Sequence, residues 1–246
     1  MNAKKLSFLL LILVAVACTN RSTSSEQDEM RHWNNVLQQI NALLLENKAR
    51  QTLDLAKQTL PEILESAEKN GTTDTLIYYA RKIFNACGNN YINTKQYKDG
   101  IDYMDSIGNH PLIREHCPHE LLSFKAGLNQ LYGNNPEAVR LAEDYLQLPV
   151  CTSANDFIRQ AEIISGVYMY SGNNLPKAIQ ILEKAIDVYR KGGNFPNMLR
   201  IMSRLGIYYH LSGEYEKAIA TNQEAIATYN DSIAPGNVVI AYGRTS

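Results

Sequence analysis

Apolar residues recur three and four positions apart along much of the chain, and this spacing predicts amphipathic helices. One example places Ile181, Leu182, Ala185 and Ile186 on the same helical face, and a similar pattern begins at Ala218. A helix with such an apolar face has to bury that face against another element of the protein. The pattern therefore predicts an all-α fold.

Small residues stand at a fixed interval along the second half of the chain. Two series of small residues each repeat every 40 positions. The first is Ala126, Gly166 and Gly206, and the second, which begins twelve positions later, is Ala138, Ala178 and Ala218. Small side chains allow two helix backbones to approach closely. We therefore expect both series to mark close contacts between the two helices of a repeated hairpin.

Glycines and prolines between the two series predict the turn of each hairpin. Gly133, Gly172 and Gly213 are expected to end a helix in the left-handed conformation that glycine adopts without strain. Pro136 and Pro176 are expected in the first turn of the next helix, where no N–H donor is needed.

The last of these hairpins resembles the tetratricopeptide repeat family. The residues that match the family pattern, in order, are Leu205, Gly206, Tyr209, Gly213, Tyr215, Ala218 and Ala225. Asn222 departs from the pattern, because the family prefers an aromatic residue at that place. The resemblance covers residues 30–232 and implies an all-α, right-handed α-solenoid of about five antiparallel helix hairpins.

The first hairpins depart from the regular interval. Trp33 and Pro61 mark the first copy of the repeat, and Gly88 marks the second. Because the spacing between these two copies exceeds the regular interval, residues 62–80 are predicted to lengthen one or both helices. The break between the helices is predicted at Asn70-Gly71.

The N-terminus has the pattern of an export signal. Lys4 and Lys5 precede an apolar run from Leu6 to Ala17. This run is shorter than the roughly 20 residues that a membrane-spanning helix needs. Residues 1–17 are therefore predicted to be a signal peptide.

The end of the signal resembles the bacterial lipobox. Ala15-Val-Ala-Cys18 carries this resemblance, which implies a lipid anchor on Cys18 and a place in the bacterial cell envelope, on the periplasmic or outer-membrane face. An ordinary cleaved signal is the alternative. Residues 18–29 contain Ser and charged residues and almost no large apolar ones, so they are predicted to be a flexible tether.

The C-terminal residues 233–246 are predicted to start a further, incomplete repeat or to cap the stack. The interval of 40 brings the next small residue to Ser246. Exported tetratricopeptide regions often precede a transmembrane helix and a histidine kinase or a transcriptional regulator. The resemblance therefore also implies an alternative function, the periplasmic sensor portion of a larger signal-transduction protein.

Charge and composition argue against two classes of ligand. The formal net charge is −1 and no Lys/Arg cluster lies beyond the signal, so we expect no nucleic acid partner. The Gly-Asn-Asn segments at Gly88, Gly133 and Gly172 lack the glycine spacing and the Lys of a phosphate-binding loop. No cofactor is expected.

The sequence predicts neither a catalytic nor a metal site. His116, Cys117 and His119 are possible metal ligands, but Pro118 among them favours a polar loop that enters a helix. His210 has no Ser, Cys or paired carboxylate placed to work with it as a general base. We therefore expect a binding protein and not an enzyme.

The resemblance implies a binding groove on the first helix of each hairpin, which lines the concave side in this family. The groove positions carried over to this chain are Lys82, Asn85, Asn89, Ile92, Glu120, Ser123, Gln130, Gln160, Ile163, Val167, Tyr170, Arg200, Ser203, Ile207 and His210. The preferred function is an envelope-anchored scaffold that binds a protein or peptide in this groove. A glycan-binding lipoprotein is a further alternative, which would need aromatic platforms outside the repeat core.

The lipid anchor is testable at one residue. Cys18→Ala should abolish the incorporation of radiolabelled palmitate in growing bacteria, because Cys18 is the predicted acylated residue. Cys87→Ala is the matched control and should be labelled like the wild type. Equal labelling of the wild type and Cys18→Ala would show that Cys18 carries no lipid.

Overall fold

The computed structural model describes residues 27–149, 154–192 and 195–227, and every regular element in these ranges is a helix. The all-α prediction is confirmed. The helices of the described residues are α1 (27–45), α2 (Ala49–Asn70), α3 (Asp74–Asn93), α4 (Tyr97–Ile107), α5 (Pro111–His116), α6 (Pro118–Tyr132), α7 (Asn135–Gln147), α8 (Ala154–Tyr170), α9 (Leu175–Gly192), α10 (Phe195–Leu211) and α11 (Tyr215–Ala227).

The chain divides into two compact units, Met1–Asn90 and Tyr91–Ser246. In the first unit, Trp33 of α1 is buried and its ring centroid lies 5.8 Å from that of Tyr79 on α3. The Tyr79 hydroxyl donates to the carbonyl oxygen of Met30 over 3.4 Å. Trp33 is therefore a core residue, as its place in the repeat pattern predicts.

The helix α1 includes the end of the predicted tether. Residues 27–29 are helical, and the Ser66 hydroxyl of α2 donates to Glu29 Oε2 over 2.9 Å. The prediction of a tether through residue 29 is corrected here, because this contact with α2 holds Glu29 against the unit. The signal peptide, Cys18 and the rest of the tether lie outside the described residues.

The second and third helices are long, as the irregular spacing predicts. α2 has 22 residues and α3 has 20. Gly71 follows α2 with a φ of 84°, a backbone conformation that side chains with a Cβ rarely adopt. The predicted break at Asn70-Gly71 is thus confirmed.

Three regular hairpins form most of the second unit: α6 with α7, α8 with α9 and α10 with α11. α6 also packs against α4 and α8, and α10 packs against α9. The two series of small residues lie inside this packing, and Ala126, Ala138 and Ala178 are fully buried. The repeated hairpin predicted from the interval of 40 residues is confirmed for this part of the chain.

Ion pairs from α9 join the second helices of neighbouring hairpins. Lys177 Nζ lies 2.8 Å and 2.9 Å from the two carboxylate oxygens of Glu143 on α7. Arg190 Nη2 lies 2.6 Å from Glu224 Oε1 on α11. The hydrogen bond from Lys177 is the main reason that the pKa of the Glu143 carboxyl is lowered. These partly exposed pairs connect the three hairpins at their second helices.

The predicted turn glycines are confirmed at two of three positions. Gly133 and Gly213 have φ values of 96° and 82°. Gly172 does not have a positive φ, and the left-handed residue of that turn is Asn173, with a φ of 44°. The turn after α8 is longer than the other two, and Gly172 N still bonds to Val167 O at 3.0 Å, so the reversal falls one residue later.

The short helix α5 is absent from the sequence prediction, which expects a polar loop before α6. His110 caps α5, because its Nδ1 accepts a hydrogen bond from Leu112 N over 3.2 Å, and Pro111 occupies the first turn. Leu112 and Ile113 are buried. A helix of 6 residues is too short to show a periodic apolar pattern, so only its cap and proline could indicate it.

The glycines of the interval series differ in how closely they are packed. A Cβ at Gly206 would lie 2.5 Å from Asn222 Oδ1, and Asn222 is itself buried. A Cβ at Gly166 would meet nothing nearer than 3.7 Å. The expectation of a close helix contact is therefore corrected for Gly166. The close contact of that region falls at Gly127, where a Cβ would lie 2.7 Å from Ile163 Cγ2.

Alanine substitutions at Gly166 and Gly206 should change the stability of the protein in opposite directions. Gly166→Ala should stabilise the protein by about 0.5–1 kcal/mol, because alanine favours the helix and its Cβ fits. Gly206→Ala should destabilise it by about 1–3 kcal/mol, because the Cβ overlaps the buried Asn222 amide. Urea unfolding of both variants checks the signs. A higher midpoint for Gly206→Ala would contradict the packing described.

Candidate functional site

The second unit contains a cavity of about 250 Å³ between the first helices of its hairpins. The lining residues come from α6, α8 and α10 and from the last turn of α3: Ile92, Gly127, Gln130, Leu131, Arg159, Glu162, Ile163, Gly166, Tyr170 and Arg204. Polar and apolar side chains therefore meet in one recess.

A buried carboxylate shared by arginines forms the base of the cavity. Only 5% of the Glu162 side chain is exposed. Its oxygens lie 2.8 Å from Arg200 Nη2, 3.3 Å from Arg204 Nη2 and 3.7 Å from Arg159 Nη1. Arg204 Nη1 also donates to the Glu162 backbone oxygen over 3.0 Å. The cluster thus ties α10 to α8.

The Glu162 carboxylate is shared by three arginines. Three guanidinium groups, which stay protonated in proteins, face one carboxylate. Burial lowers the pKa of the Arg159 guanidinium, Glu162 raises it, and repulsion from Arg200 and Arg204 lowers it further.

Gly166 is a buried residue of the cavity lining and faces polar groups of two other helices. A Cβ at this position would lie 3.7 Å from Gln130 Oε1 of α6 and 3.9 Å from Arg204 Nη1 of α10. An amide and a guanidinium therefore converge above the backbone of α8. The missing side chain at Gly166 makes part of the cavity.

Apolar side chains form the other part of the lining. Tyr170 at the end of α8 is 66% exposed, and Leu131 at the end of α6 is also exposed. Ile92 and Ile163 are half-buried beside them. Large apolar residues this exposed are typical of surfaces that bind a partner.

Four of the sequence-predicted groove residues line this cavity: Ile92, Gln130, Ile163 and Tyr170. Three others, Lys82, Asn85 and Asn89, line a separate cavity of about 340 Å³ in the first unit. There, Lys82 Nζ lies 5.6 Å from the ring centroid of Tyr78, whose side chain is exposed.

Five predicted groove residues are buried in the helix packing: Glu120, Ser123, Gln160, Val167 and Ser203. The Ser123 hydroxyl donates to the Glu120 carbonyl oxygen, and Gln160 Oε1 accepts from the Tyr145 hydroxyl of α7 over 3.1 Å. Their assignment to an open surface is corrected here, because these positions face neighbouring helices.

The remaining predicted groove residues lie near the cavity without lining it. Arg200 is directed to Glu162, Ile207 is half-buried, and His210 is exposed. The His210 ring packs edge-on against Tyr215 of α11, with the centroids 5.3 Å apart. His210 therefore lies in the last turn of α10 and contacts the start of α11.

The groove assignment omits Arg159, Glu162 and Arg204, which dominate the electrostatics of the cavity. A signal for them was present in the sequence. Between residues 157 and 170 the only charged residues are Arg159 and Glu162, and between 198 and 209 they are Arg200 and Arg204. Isolated opposite charges on otherwise apolar helices indicate a buried cluster, since such charges are seldom buried unless paired.

The residues weighed as metal ligands are placed apart from this cavity. Cys117 is buried at the start of α6, and His119 Nε2 lies 2.7 Å from the carbonyl oxygen of Pro149. Among the described residues, no three His, Cys, Asp or Glu side chains group in a way that could hold a metal ion. No helix in the described part of the chain has the length and apolar character to cross a membrane.

Comparisons with known proteins agree with the hairpin architecture. Residues 161–231 match the family model described as tetratricopeptide repeat. BtubC (BKLC) from P. vanneervenii is structurally similar, with a TM-score of 0.60, 11% identity, and coverage of 80% of this chain and 81% of that one. A crystal structure of TPR-like repeats from Podosopora anserina gives a TM-score of 0.50 at 12% identity, covering 79% of this chain and 92% of that one. No curated protein matches the sequence.

Removing the shared carboxylate should destabilise the fold. Glu162→Gln removes the buried carboxylate charge that three guanidinium groups share, and we expect a loss of about 1.5–3 kcal/mol in unfolding free energy. Glu137→Gln is the matched control, because its pair with Arg140 is largely exposed and should contribute less than about 1 kcal/mol. Urea unfolding measures both. An equal loss for the two variants would contradict a structural role for Glu162.

Proposed function

Because this chain is a tetratricopeptide repeat protein, we propose that it is an envelope-anchored scaffold that binds an extended segment of a protein partner in the cavity of α6, α8 and α10. Tetratricopeptide repeat proteins are generally scaffolds that bind other proteins and not catalysts. The proposal assigns that role to one recess of the second unit.

The observation that carries the proposal is the mixed lining of the cavity. Arg159, Arg204 and Gln130 bring polar groups to the lining, and Tyr170 and Leu131 offer exposed apolar surface beside them. A peptide chain presents both kinds of group within a few residues. An aromatic residue next to arginine is also the usual composition of an energetically important contact in protein interfaces.

The size of the cavity favours a peptide segment. Its volume of about 250 Å³ lies below the roughly 300–1,000 Å³ that small-molecule sites usually have. One or two side chains of an extended segment fill such a recess, while the rest of the segment lies across the adjacent helices.

Anchoring through Cys18 would keep the repeats close to the membrane. Residues 19–26 separate Cys18 from α1. At about 3.3–3.6 Å per extended residue, this stretch spans at most about 30 Å. A partner would therefore have to lie in the same envelope compartment and near the same membrane.

The proposed site is testable by cross-linking in intact cells. A photoreactive p-benzoylphenylalanine at position 170 should capture one defined partner, because Tyr170 is exposed at the cavity. The same residue at position 219, which is exposed on α11 away from the cavity, is the control. Equal capture from both positions would contradict a site at the cavity.

A second change in the same experiment blocks the cavity itself. Gly166→Leu adds a side chain between Gln130 and Arg204, where a Cβ alone would lie 3.7 Å and 3.9 Å from their polar atoms, so we expect some loss of stability and circular dichroism checks that the variant is folded. In the folded variant we expect at least about a tenfold loss of the product cross-linked from position 170. Gly166→Ala should lose much less, because it fills little of the space. Full capture by Gly166→Leu would overturn the proposal.

A further inference from the structure

The cavity of the first unit is lined by α1 and α3, and we call it the α1–α3 cavity. Its volume of about 340 Å³ lies within the roughly 300–1,000 Å³ that small-molecule sites usually have. The apolar residues that α1 contributes are Leu37, Ile40 and Leu44, and the amides that the two helices contribute include Asn41, Asn85 and Asn89. Apolar and amide groups therefore face the same space.

Tyr78 presents an aromatic ring at this cavity. It is 53% exposed, whereas the next residue, Tyr79, is buried. The two rings meet edge to face, with their centroids 5.4 Å apart and an angle of 76° between their planes. Because Tyr79 packs in the core against Trp33, the exposed ring of Tyr78 rests on a fixed neighbour. A glycan site needs an aromatic platform outside the repeat core, and Tyr78 meets that requirement.

Amide side chains supply the polar part of the lining. An amide has both N–H donors and an acceptor oxygen, and a sugar hydroxyl likewise donates and accepts. Among the described residues, no side chain or carbonyl forms a hydrogen bond with the amide of Asn41 or Asn85. The described residues of this lining include no carboxylate, and Lys82 is their one charged member. A ligand rich in neutral hydroxyl groups therefore matches this lining.

Lys82 lies next to the aromatic ring. Its Nζ is 5.6 Å from the centroid of Tyr78, close to the roughly 6 Å limit of a cation–π contact. Such a contact is weak where the lysine is exposed, as Lys82 is. A sugar ring that packs on Tyr78 can therefore displace the ammonium, which can then donate to an oxygen of the ligand.

The spacing of these groups indicates a ligand longer than one sugar ring. Tyr78, Lys82, Asn85 and Asn89 follow one another at intervals of four, three and four residues, and thus share one face of α3. The distance from Tyr78 to Asn89 is about 16 Å along the helix axis. A peptide strand turns alternate side chains to opposite sides and needs a separate pocket for each. One aromatic ring followed by amides suits a row of sugar rings better.

We propose that the α1–α3 cavity binds an oligosaccharide, with one sugar ring packed on Tyr78 and the hydroxyl groups of the following rings bonded to Asn85 and Asn41. This site belongs to the first unit and does not rest on peptide binding by the cavity of the second unit. It gives the scaffold a second class of ligand.

A glycan array tests this inference with the purified full chain as the probe. The array carries plant, microbial and animal oligosaccharides of defined structure. We expect the wild type to bind a set of related oligosaccharides with two or more sugar rings. The strongest of these is then titrated by calorimetry. If no glycan binds the wild type more strongly than it binds Tyr78→Ala, the inference is overturned.

Paired tyrosine variants locate the bound sugar. Tyr78→Ala should weaken binding of the titrated oligosaccharide at least about tenfold, because it removes the platform, and Tyr78→Phe should stay within about threefold of the wild type. Tyr132→Ala removes a tyrosine of nearly equal exposure, 54%, from α6 and should bind like the wild type. An equal loss for Tyr78→Ala and Tyr132→Ala would contradict the proposed site.

Amide variants test the hydrogen bonds. Asn85→Ala should weaken binding about fivefold, as expected for the loss of one hydrogen bond. Asn35→Ala is the matched control, because Asn35 is exposed on α1 and does not line the cavity. Circular dichroism checks that each variant is folded. Full affinity in both Asn85→Ala and Asn41→Ala would overturn the inference, since the sugar would then be bound without the amides.

A peptide in this cavity is a separate outcome. Random 12-residue peptides are displayed and selected on the wild type, and the selected peptides are tested on Tyr78→Ala. Peptides that lose binding there, with no glycan bound on the array, would show that the cavity takes a peptide, which overturns the inference. Tyr170→Ala alters the cavity of the second unit and should leave oligosaccharide binding unchanged. The two sites can therefore fail independently.

Discussion

Glu162 is buried between α8 and α10 and lies within ion-pair distance of three arginines from those two helices. Its carboxylate joins two hairpins at their inner helices, while pairs such as Lys177 with Glu143 join hairpins at their outer helices. The position of Arg204 beside the cavity follows from this contact, because the same guanidinium bonds to the backbone oxygen of Glu162. The contact between α8 and α10 and the electrostatics of the candidate site therefore depend on one buried charge.

The glycine series shows how one repeated position can serve two purposes. At Gly206 the amide of Asn222 occupies the space that a side chain would take. Asn222 is also the residue at which this hairpin departs from the family pattern. At Gly166 there is room for a Cβ, which would contact Gln130 Oε1 and Arg204 Nη1 at 3.7 Å and 3.9 Å, and the glycine lines the cavity. The interval of 40 residues thus preserves the backbone geometry of the hairpin, and the neighbouring side chains decide whether the space is filled.

The sequence was sufficient to predict the hairpins, because each hairpin is determined by local signals. These are the apolar spacing of each helix, the turn glycines Gly133 and Gly213, and the prolines at helix starts. It was less reliable for the surface of the candidate site. Gln160, Val167 and Ser203 are buried, while the residues directly beside them, Arg159, Gly166 and Arg204, line the cavity. One position changes the direction of a helical side chain by about 100°. The rotation of each helix about its own axis is set by packing against its neighbours, so the pattern of one hairpin cannot fix it.

The composition of the cluster is difficult to explain by stability alone. A single arginine would satisfy a buried carboxylate, and each further guanidinium adds repulsion and a cost of desolvation. Large apolar residues at these positions would extend the core that Ile164, Met198 and Met202 already form. Proteins that depart from such packing rules usually do so at functional sites, where the unfavourable charge is compensated when a ligand binds. Arg159, Arg204, Gly166 and Tyr170 lie together in the lining of the cavity, so the cluster combines a structural ion pair between α8 and α10 with the polar part of the candidate site.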